Sequence, residues 1–156
     1  MNAYEKVLKS REKGRPTAVK YIGSIVENFI ELHGDRRFAD DKAIIGGIGT
    51  ISGMPVTVIG IEKGDGTADK IAHNFGCAHP EGYRKAVRLM KEAEKFRRPV
   101  LCFVDTSGAY CGIGAEERGQ SEAIATSILE MIRLKTPTLS ICLLYTSPSP
   151  RDLSTS

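Results

Sequence analysis

Residues 105–119, DTSGAYCGIGAEERG, hold an acid, three closely spaced glycines and a charged helix start in that order. Gly108, Gly112 and Gly114 permit backbone angles closed to other residues and let a ligand come close to the main chain, while the unpaired N–H groups of a following helix favour negative charge. This pattern suits stabilisation of an anion, or of a developing oxyanion, by backbone donors. A plain turn joining a core strand to a helix would carry the same glycines, so spacing alone leaves both readings open. Ser107 or Cys111 could in principle act as a nucleophile with His73 or His79 as base, but nothing in the sequence sets an imidazole beside either one. The DTSG string has the DxxG form of a nucleotide switch. The chain contains neither GxxxxGK[ST] nor an NKxD-type base reader, so a GTPase is the weaker alternative, which a nucleotide-binding assay would decide.

The elements that must position this loop follow from periodicity. Residues 99–104 (PVLCFV) have the length and β-branched or aromatic content of a buried strand, and a helix is expected from Glu116 to Arg133 with Ala123, Ile124, Ile128, Met131 and Ile132 inward. Upstream, Ile22, Ile25, Val26, Phe29 and Ile30 fall at helical spacing after Pro16-Thr17, which predicts an amphipathic helix ending at His33-Gly34. Residues 43–51 and 55–61 read as two strands joined around Ser52-Gly53, with Gly46, Gly47 and Gly49 weakening the first of them. Those glycines sit inside a strand pattern rather than after one, so they are not taken for a phosphate loop. Residues 63–76 form an exposed loop after the second strand, a usual place for ligands to be met. Pro80 opens a helix with Ala86, Leu89, Met90, Ala93 and Phe96 on its apolar face and Arg84, Lys85, Arg88, Lys91 and Lys95 on its wet one. A last strand spans 138–144. Strands alternating with helices imply parallel pairing and an α/β class.

Composition narrows the function. The 156 residues, 41% of them hydrophobic, can bury one core. The 22 basic and 19 acidic residues are interspersed, and no aromatic platform accompanies a basic stripe, which argues against nucleic-acid binding. The start lacks the apolar core of a signal peptide and no stretch approaches the roughly 18 apolar residues of a membrane span, so a cytoplasmic protein is expected. Cys77, Cys102, Cys111 and Cys142 form no CxxC pair, and no metal site is expected.

The stretches NFGCAHPEGYRKAVRLMKEAE, FVDTSGAYCGIGAEERGQSEAIA and ELHGDRRFADDKAIIGGIG resemble the alpha subunit of the bacterial acetyl-CoA carboxylase carboxyltransferase. The resemblance runs from about Ala3 to Ile141. It implies a crotonase-like fold built of ββα units, here the N-terminal half preceded by an amphipathic helix. It also implies transfer of a carboxyl group from carboxybiotin, borne by a separate biotin carboxyl carrier protein, to acetyl-CoA, giving malonyl-CoA for fatty-acid synthesis. The implied partners are the carrier protein and a zinc-containing beta subunit, two alpha with two beta, with no metal in this chain. Carried over residue by residue, Gly108 and Ala109 stand where such enzymes draw backbone oxyanion donors, and Asp105 orients their loop. Gly112, Gly114, Lys63 and Gly64 are the candidate substrate contacts. Glu116, Glu117 and Arg118 either form a charged first helical turn or reach the partner subunit.

The chain departs from the family pattern in three places. Ser107 and Cys111 replace prolines, which should loosen the loop, and Asp65 stands where an arginine is usual after Lys63-Gly64. After Ile141 a second glycine-rich loop is expected, but the chain reads CLLYTSPSPRDLSTS, and eight of its last twelve residues are Ser, Thr or Pro. Residues 1–144 are therefore expected to be a partial carboxyltransferase domain, and 145–156 a disordered tail resembling translated adapter sequence. On that reading the fragment alone is inactive, or it serves as an association module that binds the beta subunit or itself.

Overall fold

The computed structural model describes Tyr4, Glu5, Leu8, Glu12 and residues 14–144. Their elements run α1 (Ala18–Ile25), β1 (Glu27–Glu31), β2 (Ile44–Ile51), β3 (Met54–Ile61), α2 (Thr67–Ala72), α3 (Pro80–Lys95), β4 (Val100–Val104), α4 (Ile113–Glu117), α5 (Gln120–Arg133) and β5 (Thr138–Cys142). One five-stranded sheet in the order β1-β2-β3-β4-β5 carries the fold. It is mixed, antiparallel from β1 to β3 and parallel from β3 to β5. The change falls where the connection changes: a tight turn at Ser52 (φ 50°) and Gly53 (φ 78°) folds β2 back on β3, whereas a helical crossover leads from β3 to β4.

Alternation along the strands sorts side chains to two faces. Val56, Val58, Leu101 and Phe103 meet Ala18, Ile22 and Val26 of the α1 region, and Tyr21 stacks on Phe103 at 5.8 Å between ring centres. Ile44, Ile59, Val100 and Cys102 meet Ala86, Leu89, Met90 and Ala93 of α3. Burial pushes the Cys102 thiol up to about 11, so it behaves as a small hydrophobe.

Four expectations are corrected. The first helix ends at Ile25, and Phe29 and Ile30 lie on strand β1, which pairs with β2. Glycine on β2 explains why: a Cβ at Gly47 would sit 2.1 Å from the Ile30 carbonyl oxygen and one at Gly49 would sit 2.9 Å from that of Glu27, so only glycine lets β1 lie this close. Gly46 likewise makes room for Leu89, whose Cδ1 would lie 2.3 Å from an added Cβ. The expected helix 116–133 is two helices, broken at Gly119, whose φ of 80° no helix continues through. Lys85 is fully buried rather than wet, with Nζ 2.5 Å from Asp40 and donating to the Asp41 carbonyl oxygen at 2.8 Å. Finally, Phe96, Ile128 and Ile132, expected inward, are exposed, Ile132 to 76%. Residues 146–156, the expected disordered tail, lie outside the described residues.

Candidate functional site

Strands β3 and β4 are parallel neighbours, with Gly60 opposite Phe103, so their C-terminal ends emerge side by side. Each is followed by an acid, Glu62 after β3 and Asp105 after β4. The ends of parallel strands in an open sheet are where α/β proteins meet their ligands, because loops diverge there above a rigid base.

Asp105 has 0% of its surface exposed. Its Oδ2 accepts from Arg15 Nη2, and Lys63 Nζ lies 2.9 Å from Oδ1 but off the hydrogen-bond direction, so that pair is held by charge. A buried carboxylate is tolerated only with such partners. Arg15 also donates through Nη1 to the Leu143 carbonyl oxygen at 2.6 Å, which ties the N-terminal segment to the end of β5. Glu62, also buried, splits its carboxylate: Oε2 accepts from Val19 N–H at 2.8 Å in the first turn of α1, and Oε1 from Gly64 N–H at 2.7 Å. Gly64, at φ 81°, passes so close to α2 that a Cβ would lie 2.5 Å from the Asp69 carbonyl carbon. Asp65 bonds Lys20 Nζ at 2.5 Å, so where the family pattern has a cation this chain holds a lysine-paired anion.

The loop after Asp105 rests on the segment before α3. Thr106 Oγ1 lies 2.9 Å from the Gly76 carbonyl oxygen and 3.0 Å from that of Gly108, and it accepts from Gly108 N–H at 3.0 Å. The Tyr110 ring lies over His79 with centres 3.9 Å apart. Gly108 (φ 147°) and Ala109 are exposed, and Ala109 N–H has no protein acceptor among the described residues. Gly112 precedes α4, where its carbonyl accepts from Ala115 and Glu116 N–H, and a Cβ on it would strike the Tyr110 ring at 2.8 Å. The Gly114 carbonyl accepts from Arg118 Nη1 at 2.6 Å, and Arg118 also pairs with Glu81 at 2.8 Å.

A cavity of about 580 Å³ opens beside this loop. Of the residues singled out from sequence, Lys63, Gly64, Asp65, Asp105 and Ser107 line it, while Gly108, Ala109, Gly112 and Gly114 stand outside its wall. Arg15, Thr17, Lys70 and Phe75 complete the part that bears on a ligand. The imidazoles proposed as bases are engaged elsewhere. His73 Nδ1 lies 2.9 Å from the Asp69 carbonyl oxygen, and His79 Nδ1 accepts from Asn74 Nδ2 at 3.0 Å. Burial, and after it the neighbouring Cys111, pushes the Cys77 thiol up, away from thiolate character. The site therefore offers cations and backbone N–H groups rather than an activated nucleophile.

Sequence reading missed Arg15, Glu62 and Thr106. Glu62 carried the signal that Asp105 carried, an acid closing an apolar strand. Arg15 carried none, since its partner lies 90 positions away. Among the described residues no group of three or more His, Cys, Asp or Glu could hold a metal ion, and no helix is long and apolar enough to cross a membrane.

The mixed sheet flanked by helices, with a glycine loop at the parallel strand ends, shares the crotonase-like fold of solved carboxylase and transcarboxylase structures. Solved structures that share it include a single-chain, multi-domain long-chain acyl-CoA carboxylase, with TM-score 0.66 and 23% identity over 81% of this chain and 12% of that one. Transcarboxylase 12S with methylmalonyl-coenzyme A and methylmalonic acid bound aligns with TM-score 0.68 at 20% identity, over 88% of this chain and 28% of that one. The family model described as acetyl co-enzyme A carboxylase carboxyltransferase-like matches residues 1–144, and the chain belongs to that family. It is 62% identical to the acetyl-coenzyme A carboxylase carboxyl transferase subunit alpha of Ruminiclostridium cellulolyticum, over 90% of this chain and 54% of the relative. It is 60% identical to that of Alkaliphilus oremlandii, over 90% and 45%. The chain thus spans about half the length of the relatives it matches.

Proposed function

We propose that this chain forms the N-terminal half of the catalytic domain of a carboxyltransferase alpha subunit, which moves a carboxyl group from carboxybiotin on a carrier protein to acetyl-CoA. On this reading the product, malonyl-CoA, feeds fatty-acid synthesis in the cytoplasm, and a zinc-containing beta subunit completes the site in an assembly of two alpha and two beta subunits. The observation that carries the reading is the continuous match to alpha subunits through the loop that leaves Asp105 at the parallel strand ends.

Carboxybiotin, when bound, supplies an activated carboxyl group and leaves negative charge on its ureido oxygen. Of the cations that line the cavity beside Glu12, Asp65 and Asp105, Arg15 and Lys63 are held by Asp105 and Lys70 makes no ion pair among the described residues, while Ala109 N–H stands free on the exposed loop beside it. The backbone N–H groups of Gly108 and Ala109 are the oxyanion donors. Ala109 is available as the loop stands, while the Gly108 donor is shared with Thr106 Oγ1. A pre-aimed donor of this kind lowers the barrier by roughly 3 kcal/mol. Asp105 orients the loop by fixing Arg15 and Lys63 at its base, and the proposed substrate contacts are Lys63 and Gly64 in the cavity wall with Gly112 and Gly114 outside it. Residues 1–144 form this partial domain, and 145–156 lie outside it.

The test is malonyl-CoA formation with carboxylated carrier and beta subunit, comparing this chain with one extended by the C-terminal half of the R. cellulolyticum relative. Activity restored only in the extended chain supports the reading. Failure of the extended chain, with folding verified, sinks it.

A further inference from the structure

A second cavity, of about 560 Å³, opens between the loop around residues 35–37 and helices α3 and α5, and shares no lining residue with the cavity beside Asp105. Its wall carries Arg36, Arg37, Arg84, Arg88, Lys91 and Arg118 against the carboxylates of Asp35 and Glu122.

Some of these charges are spent on the fold. The Asp35 carboxylate accepts from the N–H groups of Arg37, Phe38 and Ala39 and, at 2.7 Å, from Arg84 Nε. Glu81 takes Arg118 and Arg84 at 2.8 and 3.5 Å, and Glu130 takes Lys91 at 3.2 Å. Arg36, Arg37 and Arg88 are left under-compensated. Arg36 Nη1 and Arg88 Nη2 both donate to one neutral acceptor, the His33 carbonyl oxygen, at 3.1 and 3.3 Å. Arg88 has Glu92 only at 3.8 Å, and that carboxylate lies closer to Arg98 at 3.2 Å. Among the described residues neither Arg36 nor Arg37 has a carboxylate within ion-pair distance. Burial, and after it the charge of Arg36, lowers the pKa of Arg88 against the opposing pull of Glu92, Asp40 and Asp35.

We propose that this cavity binds a small phosphate-bearing anion, a diphosphate or larger, bridging Arg36, Arg37 and Arg88. Guanidinium forks match phosphate oxygens two at a time, and several converging forks favour a multivalent anion over a monocarboxylate. The limited size of the cavity and the mild net charge of +3 suit a small ligand better than a nucleic acid, for which an extended basic stripe is needed.

Isothermal titration of the chain with pyrophosphate at low ionic strength tests this. One-to-one binding is expected, weakened at least about tenfold in Arg36→Ala/Arg37→Ala and weakened also by added salt. Those side chains make no ion pair among the described residues, so the variant should keep the wild-type circular dichroism spectrum. Arg36→Lys/Arg37→Lys, which keeps charge but loses the forks, should fall between the two. ADP binding tighter than pyrophosphate would assign a nucleotide as the source of the phosphates; equal binding would assign the phosphates alone. No binding of pyrophosphate at millimolar concentration, unchanged affinity in the alanine variant, or equal competition by polyglutamate would overturn the proposal.

Discussion

The charge-rich loop at residues 33–42 and the loop of mostly small residues at 105–112 treat their backbones in opposite ways. In the first, carboxylates turn inward onto main chain: Asp35 accepts three N–H groups, Asp40 accepts Gly34 N–H at 2.8 Å, and Asp41 accepts those of Ala43 and His79 at 2.9 and 2.7 Å. In the second, Asp105 turns away from its loop toward Arg15 and Lys63, and hydrogen bonding within the loop comes down to Thr106 with Gly108. A loop whose backbone donors are consumed by its own acids is fixed and can meet an anion only through side chains, as Arg36 and Arg37 would. One whose donors remain exposed can meet it.

The largest effect should come from breaking the saturated loop. Asp41→Ala strands the two backbone N–H donors of Ala43 and His79, and a loss of about 3 kcal/mol in urea unfolding is expected. An unchanged midpoint would show that the carboxylates of this loop are decoration.

In the open loop the expected damage is to chemistry. Gly108 has φ 147° and no atom within 4 Å of an added Cβ, so Gly108→Val strains the backbone without a clash against the core. In a subunit completed with the R. cellulolyticum C-terminal half, turnover should fall by about a hundredfold, equivalent to about 2.7 kcal/mol, while unfolding shifts by less than about 1 kcal/mol. Near-wild-type turnover would sink the assignment of Gly108 and Ala109 as donors.

Acid should separate the loops more gently. Burial of Asp40 opposes its ionisation, but hydrogen bonds from Lys85, Gly34 N–H and His33 outweigh it and hold the carboxyl at about 2, below its ordinary 3.8. A depressed carboxylate stabilises the fold fully above about pH 4, and that stability is lost as pH falls through about 2. Because the Asp40 side chain is 33% exposed, screening reduces the contribution to about 1 kcal/mol. Stability measured from pH 5 to 2 should show this slope and lose it in Asp40→Asn. The smallest effects belong to Ser107→Ala and Cys111→Ala, which should keep most turnover in the completed subunit. Collapse of either would restore a covalent mechanism.

Much of this was legible in the sequence because it is local. The Ser52-Gly53 turn, the apolar strand at 100–104, Pro80 at the first position of α3 and the glycine loop after Asp105 each follow from a few neighbouring residues. The Gly119 break was also written there, as a glycine inside a helical pattern that was read through. Residues 26–30 mislead because their apolar spacing continues that of the helix, whereas Asn28 at φ 52° and the bare faces of Gly47 and Gly49 let 27–31 form an edge strand. Periodicity reports which residues want burial, not which partner buries them.

By itself the sequence determined the family, the alternation of strands and helices, and the position of a backbone-rich loop at the end of a core strand. Tertiary structure alone decided that Lys85, one cation in an apparently wet helical face, is buried against Asp40, and that Arg15 reaches across 90 positions to Asp105. It also decided which of two neighbouring amides in the loop is already engaged. These outcomes depend on where distant segments meet once the sheet has closed, and a buried charge or a free N–H is defined only by what ends up beside it.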